Sequence, residues 1–297
     1  MKVLVTGASG MVGRNLVGYF AEHGAEVIPT DLGGWPVTGD LLDSEFVFTR
    51  LASLDFDAVV HLAAITELKK TIENPKLCFE VNCFGTLNML ELATRKKVKR
   101  FVLASSANVF GAPKKNPVKE DSPFDPRVPY DFSKVISENL AMGYYRAKGL
   151  PVSITRGWLL FGEFDQPTRA TIRFIRACLK NEPIALFGGG RDTTSPSHAV
   201  NYAKLALAIL NDERAVGNTF NFGGERAVTI RQLAETIKRL TGSSSDLSSV
   251  PPRSEQEKEP QISYPSLEKI TKVLGYRHEL SLEEGLKRTI EWVRKSG

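Results

Sequence analysis

The sequence predicts an α/β fold: a doubly wound parallel sheet followed by a smaller C-terminal region. Three observations carry this reading. Apolar runs alternate with helical patterns through the first half of the chain, glycines punctuate the turn from the first strand into the first helix, and the alternation loosens from about residue 160. Alternation of strand and helix implies parallel strands covered by helices.

The elements follow in order. "KVLVT" (2–6) is a continuous apolar run that reads as a buried strand, and the helix after it extends to about His23. "AEVIPT" (25–30), "DAVVHLAA" (57–64), "RFVLASS" (100–106) and "PVSITRGW" (151–158) are the further strands, with helical stretches at 75–95 and 130–148. The segment 242–260, "GSSSDLSSVPPRSEQEKEP", reads as a polar loop, and 281–295 as an amphipathic terminal helix. No internal repeat is present. The pattern divides the chain into a first domain, 1–158 rejoined by about 193–215, and a second region made of 159–192 and 216–297.

With 297 residues the chain can bury roughly three quarters of its unfolded surface, enough for a sizeable core. A net charge of +5 is mild, and the one basic cluster, "RKKVKR" at 95–100, reads as a solvated helix end and not a nucleic-acid patch. A weak positive field suits an anionic small molecule. Cys78, Cys83 and Cys178 show neither metal-ligand spacing nor a disulfide framework, which points to a reducing compartment and no metal. The chain runs straight into a strand and has no apolar run of membrane length, so it reads as cytoplasmic with no membrane partner.

In "VLVTGASGMVGRNL", Gly7, Gly10 and Gly13 are spaced G-x-x-G-x-x-G between strand and helix, with Met11 and Val12 opening the helix. Such a turn lets backbone approach a pyrophosphate, which the helix N-terminus then attracts. Asp31 ends the second strand, where a carboxylate can accept both hydroxyls of an adenosine ribose and repel a 2′-phosphate. NAD is therefore expected over NADP. "GDLLD" offers Asp40 for the adenine amine, with Leu41 beside it.

"VPYDFSK" places Tyr130 four residues before Lys134, on one helical face. A neighbouring ammonium lowers a phenol's pKa and fits it for proton transfer. "YYRAK" repeats the spacing at Tyr144 and Lys148, so spacing alone does not choose between the pairs.

Taken together these stretches resemble the extended short-chain dehydrogenase/reductase family, in its NAD-dependent epimerase/dehydratase branch. "TGASGMVG" is similar to the family's cofactor loop. "HLAA", with Leu62, Ala63 and Ala64, resembles the segment under the cofactor, and "VNCFGT" the helix carrying a family asparagine, here Asn82. "SSANVFG" resembles the serine-bearing strand end, and "SLEEGLKRTIEW" the closing helix. The resemblance implies a Rossmann-type first domain, a substrate-binding second region and a homodimer built from helices 75–95 and 130–148. The family's catalytic serine precedes its tyrosine by about two dozen residues, which fits Ser106 and Tyr130 and leaves Tyr144 as scaffold. In the implied roles Tyr130 exchanges the substrate proton, Ser106 steadies the reacting oxygen, Lys134 and the positive nicotinamide ring lower the Tyr130 pKa, and Lys134 also binds the nicotinamide ribose. Thr66, Ser106, Ala107 and Asn108 would face the substrate. His61 and His198 read as structural histidines.

Family dehydratases carry an acid pair after the serine, where this chain has Ala107 and Asn108, so dehydration is not expected. A sugar-nucleotide 4-epimerase of the UDP-glucose/UDP-galactose type needs no such pair. Against that reading, Leu159 and Thr194 stand where such epimerases have an asparagine and a diphosphate-binding arginine. Arg191 is the expected replacement, with Arg169, Arg173 and Arg253 as neighbours. A dehydrogenase or reductase acting on a sugar, and a non-catalytic NAD-binding sensor, are the alternatives.

Overall fold

The computed structural model describes residues 1–252 and 259–296. The first half alternates as the sequence predicts: β1 (Lys2–Thr6), α1 (Met11–Glu22), β2 (Glu26–Asp31), β3 (Val37–Thr38), β4 (Ala58–His61), α2 (Leu68–Glu73), α3 (Pro75–Phe79), α4 (Gly85–Lys96), β5 (Arg100–Ser106), α5 (Pro129–Lys148) and β6 (Val152–Gly157). The second half holds β7 (Leu160–Phe161), α6 (Ala170–Lys180), β8 (Ile184–Phe187), β9 (Thr193–Thr194), β10 (Ser197–His198), α7 (Ala199–Asn211), β11 (Thr219–Phe222), β12 (Val228–Thr229), α8 (Ile230–Thr241), β13 (Leu247–Val250), α9 (Glu268–Leu274) and α10 (Leu282–Ser296).

Seven parallel strands form one sheet in the order β11-β6-β5-β4-β1-β2-β3. The chain leaves β1 toward β2 on one side and later returns to pair β4 on the other. Such a reversal of strand order opens a crevice at the C-terminal ends of the strands, here between β1 and β4. Alternation within β1 explains both covering layers. Val3 and Val5 pack with Leu16 and Phe20 of α1 and Tyr202 and Ile209 of α7, while Leu4 packs on the other face with Met89 and Leu90 of α4. A third cluster joins α6, α8 and α10 through Ile172, Ile175, Leu233, Ile237, Leu286 and Ile290.

Four details depart from the sequence reading. The expected helix 75–95 is broken by a π-helical turn at Glu80–Phe84, between α3 and α4. The strand expected over 57–64 ends at His61, and Leu62–Ala64 leave the sheet as irregular backbone. The polar loop 242–260 contains β13, which pairs with β8 through Leu247↔Ile184 to Val250↔Phe187, because the Ser-rich run offers backbone to an edge that has no other partner strand among the described residues. Finally β11 lies beyond the expected 193–215 return and still joins the large sheet, since Phe220 and Phe222 are buried against α7 and β6.

Candidate active site

The glycine turn is shaped by close approach. Gly7 holds φ +71°, and a Cβ there would come within 2.6 Å of Ala63 N. A Cβ on Gly13 would lie 2.3 Å from the Gly7 carbonyl oxygen, so both positions exclude a side chain. Gly10 stands in extended conformation ahead of α1; among the described residues no side chain caps that end, and the first turn holds no acid. Met11 and Val12 form its first turn. Uncapped N–H groups with a positive helix end and no carboxylate in that turn make an anion cradle, and the cradle fits the pyrophosphate of a dinucleotide.

Asp31 is fixed beside this turn. Its Oδ2 accepts from the Ser9 N–H at 2.8 Å and its Oδ1 from the Leu32 N–H at 2.7 Å. Asp40 folds onto its own turn, accepting from the Leu42 N–H at 2.9 Å, and the Leu41 carbonyl accepts from Asn88 at 2.7 Å.

Past β4 the chain crosses the crevice as Leu62, Ala63, Ala64, Ile65 and Thr66. The Leu62 N–H donates to the Thr6 carbonyl at 3.2 Å. Asn82, 1 % exposed in the π-turn, holds the next residue from both sides. Its Oδ1 accepts from the Ile65 N–H at 2.7 Å, and its Nδ2 donates to the Ile65 carbonyl at 3.1 Å and to Ser133 Oγ at 2.9 Å. Its amide is thus committed to backbone that lines the crevice. His61 bridges Thr6 at 2.7 Å and Thr86 at 3.0 Å, and burial pushes its pKa down to about 3, so it is a neutral structural histidine.

Ser106 ends β5, and Tyr130 and Lys134 lie on the first two turns of α5; all three are buried. Ser106 Oγ accepts from the Asn108 N–H at 3.2 Å, which leaves its own proton to donate. The Asn108 amide donates to Asp131 at 3.2 Å, and Asp131 also accepts from the Arg127 and Val128 N–H groups that open α5. Lys134 donates to the Ala104 carbonyl oxygen at 2.9 Å. Behind them Arg156 and Glu138 form a buried bidentate pair, with Ser105 donating to the same carboxylate at 2.6 Å, locking β5, β6 and α5 together.

In the free protein the Tyr130 pKa is raised: burial dominates, and the Ser106 hydroxyl and the Arg169 guanidinium oppose it. Lys134 sits 5.8 Å from the ring centre with its ammonium turned to Ala104. Burial in turn brings the Lys134 pKa down to about 8, against the pull of Cys83, Glu138 and Cys78. The second pair is elsewhere: Tyr144 donates to Glu91 of α4 at 3.0 Å.

Of the diphosphate candidates, Arg191 is exposed and its Nε donates to the Gly188 carbonyl at 3.1 Å. Arg169 and Arg173 stand exposed at the start of α6, and Arg253 lies outside the described residues. Leu159 packs into the third core cluster, and Thr194 belongs to β9, paired with β12. The basic run 95–100 is largely engaged: Arg95 with Glu91, Lys96 with the Ala52 and Leu54 carbonyls, Lys99 with Asp57, Arg100 with Glu213.

Sequence reasoning passes over Glu163. Its carboxylate lies 3.0 Å from His198 Nε2 and accepts from Arg288. Burial raises its pKa, but His198 and Arg288 outweigh that and hold it at about 2. The three residues come from distant parts of the chain, so no local spacing announces them. Among the described residues no cluster of His, Cys, Asp or Glu could hold a metal, and no helix is long and apolar enough to cross a membrane.

This fold and crevice define an NAD-dependent enzyme class, and the chain belongs to the NAD dependent epimerase/dehydratase family, whose model matches residues 3–223. It is 28% identical to a UDP-glucuronate 4-epimerase of Thermodesulfobacterium geofontis, covering 99% of this chain and 96% of that protein. It is 29% identical to a dTDP-glucose 4,6-dehydratase of Streptomyces antibioticus, covering 99% and 92%. Among solved structures, the UDP-glucose 4-epimerase of Thermotoga maritima with UDP-glucose superposes with a TM-score of 0.92 at 26% identity, over 100% of this chain and 99% of that one. The chain is therefore an enzyme of this family, with NAD as its cofactor.

Proposed function

We propose that the protein is an NAD-dependent sugar-nucleotide 4-epimerase of the UDP-glucose/UDP-galactose type. The observation that carries this reading is a proton-transfer set, Ser106–Tyr130–Lys134, with no acid at the two positions after Ser106: Ala107 is apolar, and the Asn108 amide is bound to Asp131. Elimination of water needs an acid there to protonate the leaving hydroxyl. Epimerisation needs only a reversible proton transfer at one oxygen.

Bound NAD supplies a hydride acceptor that can return the hydride to the other face of a 4-keto sugar. The chain's residues do the rest. With the positive nicotinamide ring and Lys134 beside it the Tyr130 phenol would ionise, releasing its proton to solvent, and the phenolate oxygen would take the 4-hydroxyl proton and give it back. Ser106 donates to the same oxygen, steadying it as it becomes a carbonyl. Lys134 keeps a positive charge behind Tyr130 and holds the nicotinamide ribose. Gly7, Gly10, Met11, Val12 and Gly13 receive the pyrophosphate, Asp31 the adenosine ribose, and Asp40 and Leu41 the adenine. Leu62, Ala63 and Ala64 floor the cofactor, with Asn82 acting through the Ile65 backbone. Thr66 flanks the sugar, and Arg191 takes the diphosphate. The first domain binds cofactor and the second substrate. The exposed apolar side chains of Phe84 in the π-turn and of Phe132 and Ile136 on α5 suit a homodimer packed through the helical segment 75–95 and α5.

Incubation with UDP-glucose and, separately, UDP-galactose tests the reading. Interconversion without NADH accumulation supports it; stoichiometric NADH with an oxidised product would instead favour a dehydrogenase. Losing one charge-assisted bond to the diphosphate costs roughly 1.5–3 kcal/mol, so Arg191→Ala should raise KM about one to two orders of magnitude with little change in kcat.

A further inference from the structure

Two residues after β7 join helices from opposite ends of the chain. From α1, Asn15 donates to the Glu163 carbonyl oxygen at 3.0 Å, and the Arg14 guanidinium lies 5.2 Å from the centre of the Phe164 ring. From α10, Arg288 donates to the Glu163 carboxylate, and the Trp292 ring centre stands 5.5 Å from that of Phe164. Arg288 and Trp292 are one turn apart on a single helical face. Phe164 itself holds φ +66°. A bulky residue keeps that left-handed conformation only where its surroundings impose it, and such strain concentrates at ligand clamps.

The path of this segment gives the strain a purpose. Arg14 and Asn15 follow Gly13 directly, and Arg14 Nε donates to the Ser9 carbonyl inside the glycine turn at 3.2 Å. Two residues beyond Phe164, Gln166 lines a cleft with Ala64, Ile65 and Thr66. Residues 163–166 therefore run from the glycine turn to the exit of β4. A dinucleotide whose pyrophosphate sits at Gly10–Gly13, and whose nicotinamide reaches Tyr130 and Lys134, must pass along the same stretch.

We propose that residues 163–166 are a strap over bound NAD, and that the terminal helix α10 holds the strap shut through Arg288 and Trp292, setting the rate at which the cofactor leaves. The inference depends on NAD alone and not on the sugar chemistry. An enzyme built this way keeps one cofactor through many turnovers.

The test loads the full chain with NAD and follows its release after rapid dilution, well below the thermal midpoint of each variant. Phe164→Gly removes the ring and the left-handed strain together, while Arg288→Gln and Trp292→Ala loosen α10. Each loss should speed release roughly three- to tenfold, because changes in a binding contact appear mainly in the dissociation rate. Should Trp292→Ala fail to fold, Phe164→Gly and Arg288→Gln decide the matter. Unchanged release in both, even with a lowered thermal midpoint, would overturn the strap. Faster release in Phe164→Gly alone would overturn the control by α10.

Discussion

Lys134 stands 5.8 Å from the centre of the Tyr130 ring and donates its proton to Ala104, not to the phenol. That bond fixes the ammonium to the end of β5, and burial of the phenol, not the ammonium, dominates the Tyr130 pKa in the free protein. Burial keeps Tyr130 protonated in the free protein and strains the ionisation of Lys134.

The two tyrosine–lysine pairs should respond differently to loss of one oxygen. Tyr130→Phe should abolish turnover and leave NAD binding largely intact. Tyr144→Phe removes the bond to Glu91, for a stability loss of about 0.5–1.5 kcal/mol and little change in kcat. Kinetics and thermal denaturation of both variants check this, and equal losses of activity would contradict the role given to Tyr130.

Lys134 should carry a stability cost. Its folded pKa of about 8 lies below its ordinary 10.5, so below pH 8 the folded state bears a buried charge it accommodates poorly. Lys134→Met should be inactive yet more stable at pH 7, by roughly 3 kcal/mol if the whole shift is recovered. Between pH 8 and 10.5 the unfolded chain binds the extra proton, so wild-type stability gains on the variant as pH rises, and the gap closes above 10.5. Denaturant melts of the NAD-free proteins across that range measure it. A gap that stays constant with pH would contradict the assignment.

Asp31 should set cofactor choice. Its carboxylate is held by two backbone N–H groups, so it cannot swing away from a 2′-phosphate. Calorimetric titration should find NAD bound more tightly than NADP, and the preference should shrink in Asp31→Ala. Tighter NADP binding by the wild type would contradict the role.

Much of this was legible in the sequence because strand ends and helix starts are local events. The buried run of β1, the glycines after it, Ser106 at the end of β5 and Pro129 at the start of α5 each announce themselves within a few residues. What was hidden depends on tertiary distance. Asn82 is visible as a residue, but its grip on Ile65 exists only once the π-turn aims it there. The Tyr130 pKa turns on how completely its ring is covered, which no spacing encodes. Glu163, His198 and Arg288 meet from three separate elements. The Ser-rich β13 shows no apolar alternation, because only Leu247 of its four residues packs into the third core cluster when it pairs with β8.

Epimerisation by this site requires that hydride leave a sugar carbon and return to that same carbon. UDP-glucose labelled with deuterium at C4 tests it directly, with mass spectrometry and NMR of the recovered nucleotide sugar. UDP-galactose should retain deuterium at C4, formed without net NADH and without solvent hydrogen entering at C5. Loss of the C4 deuterium to free NADH, or uptake of solvent hydrogen at C5 with release of water, would contradict it.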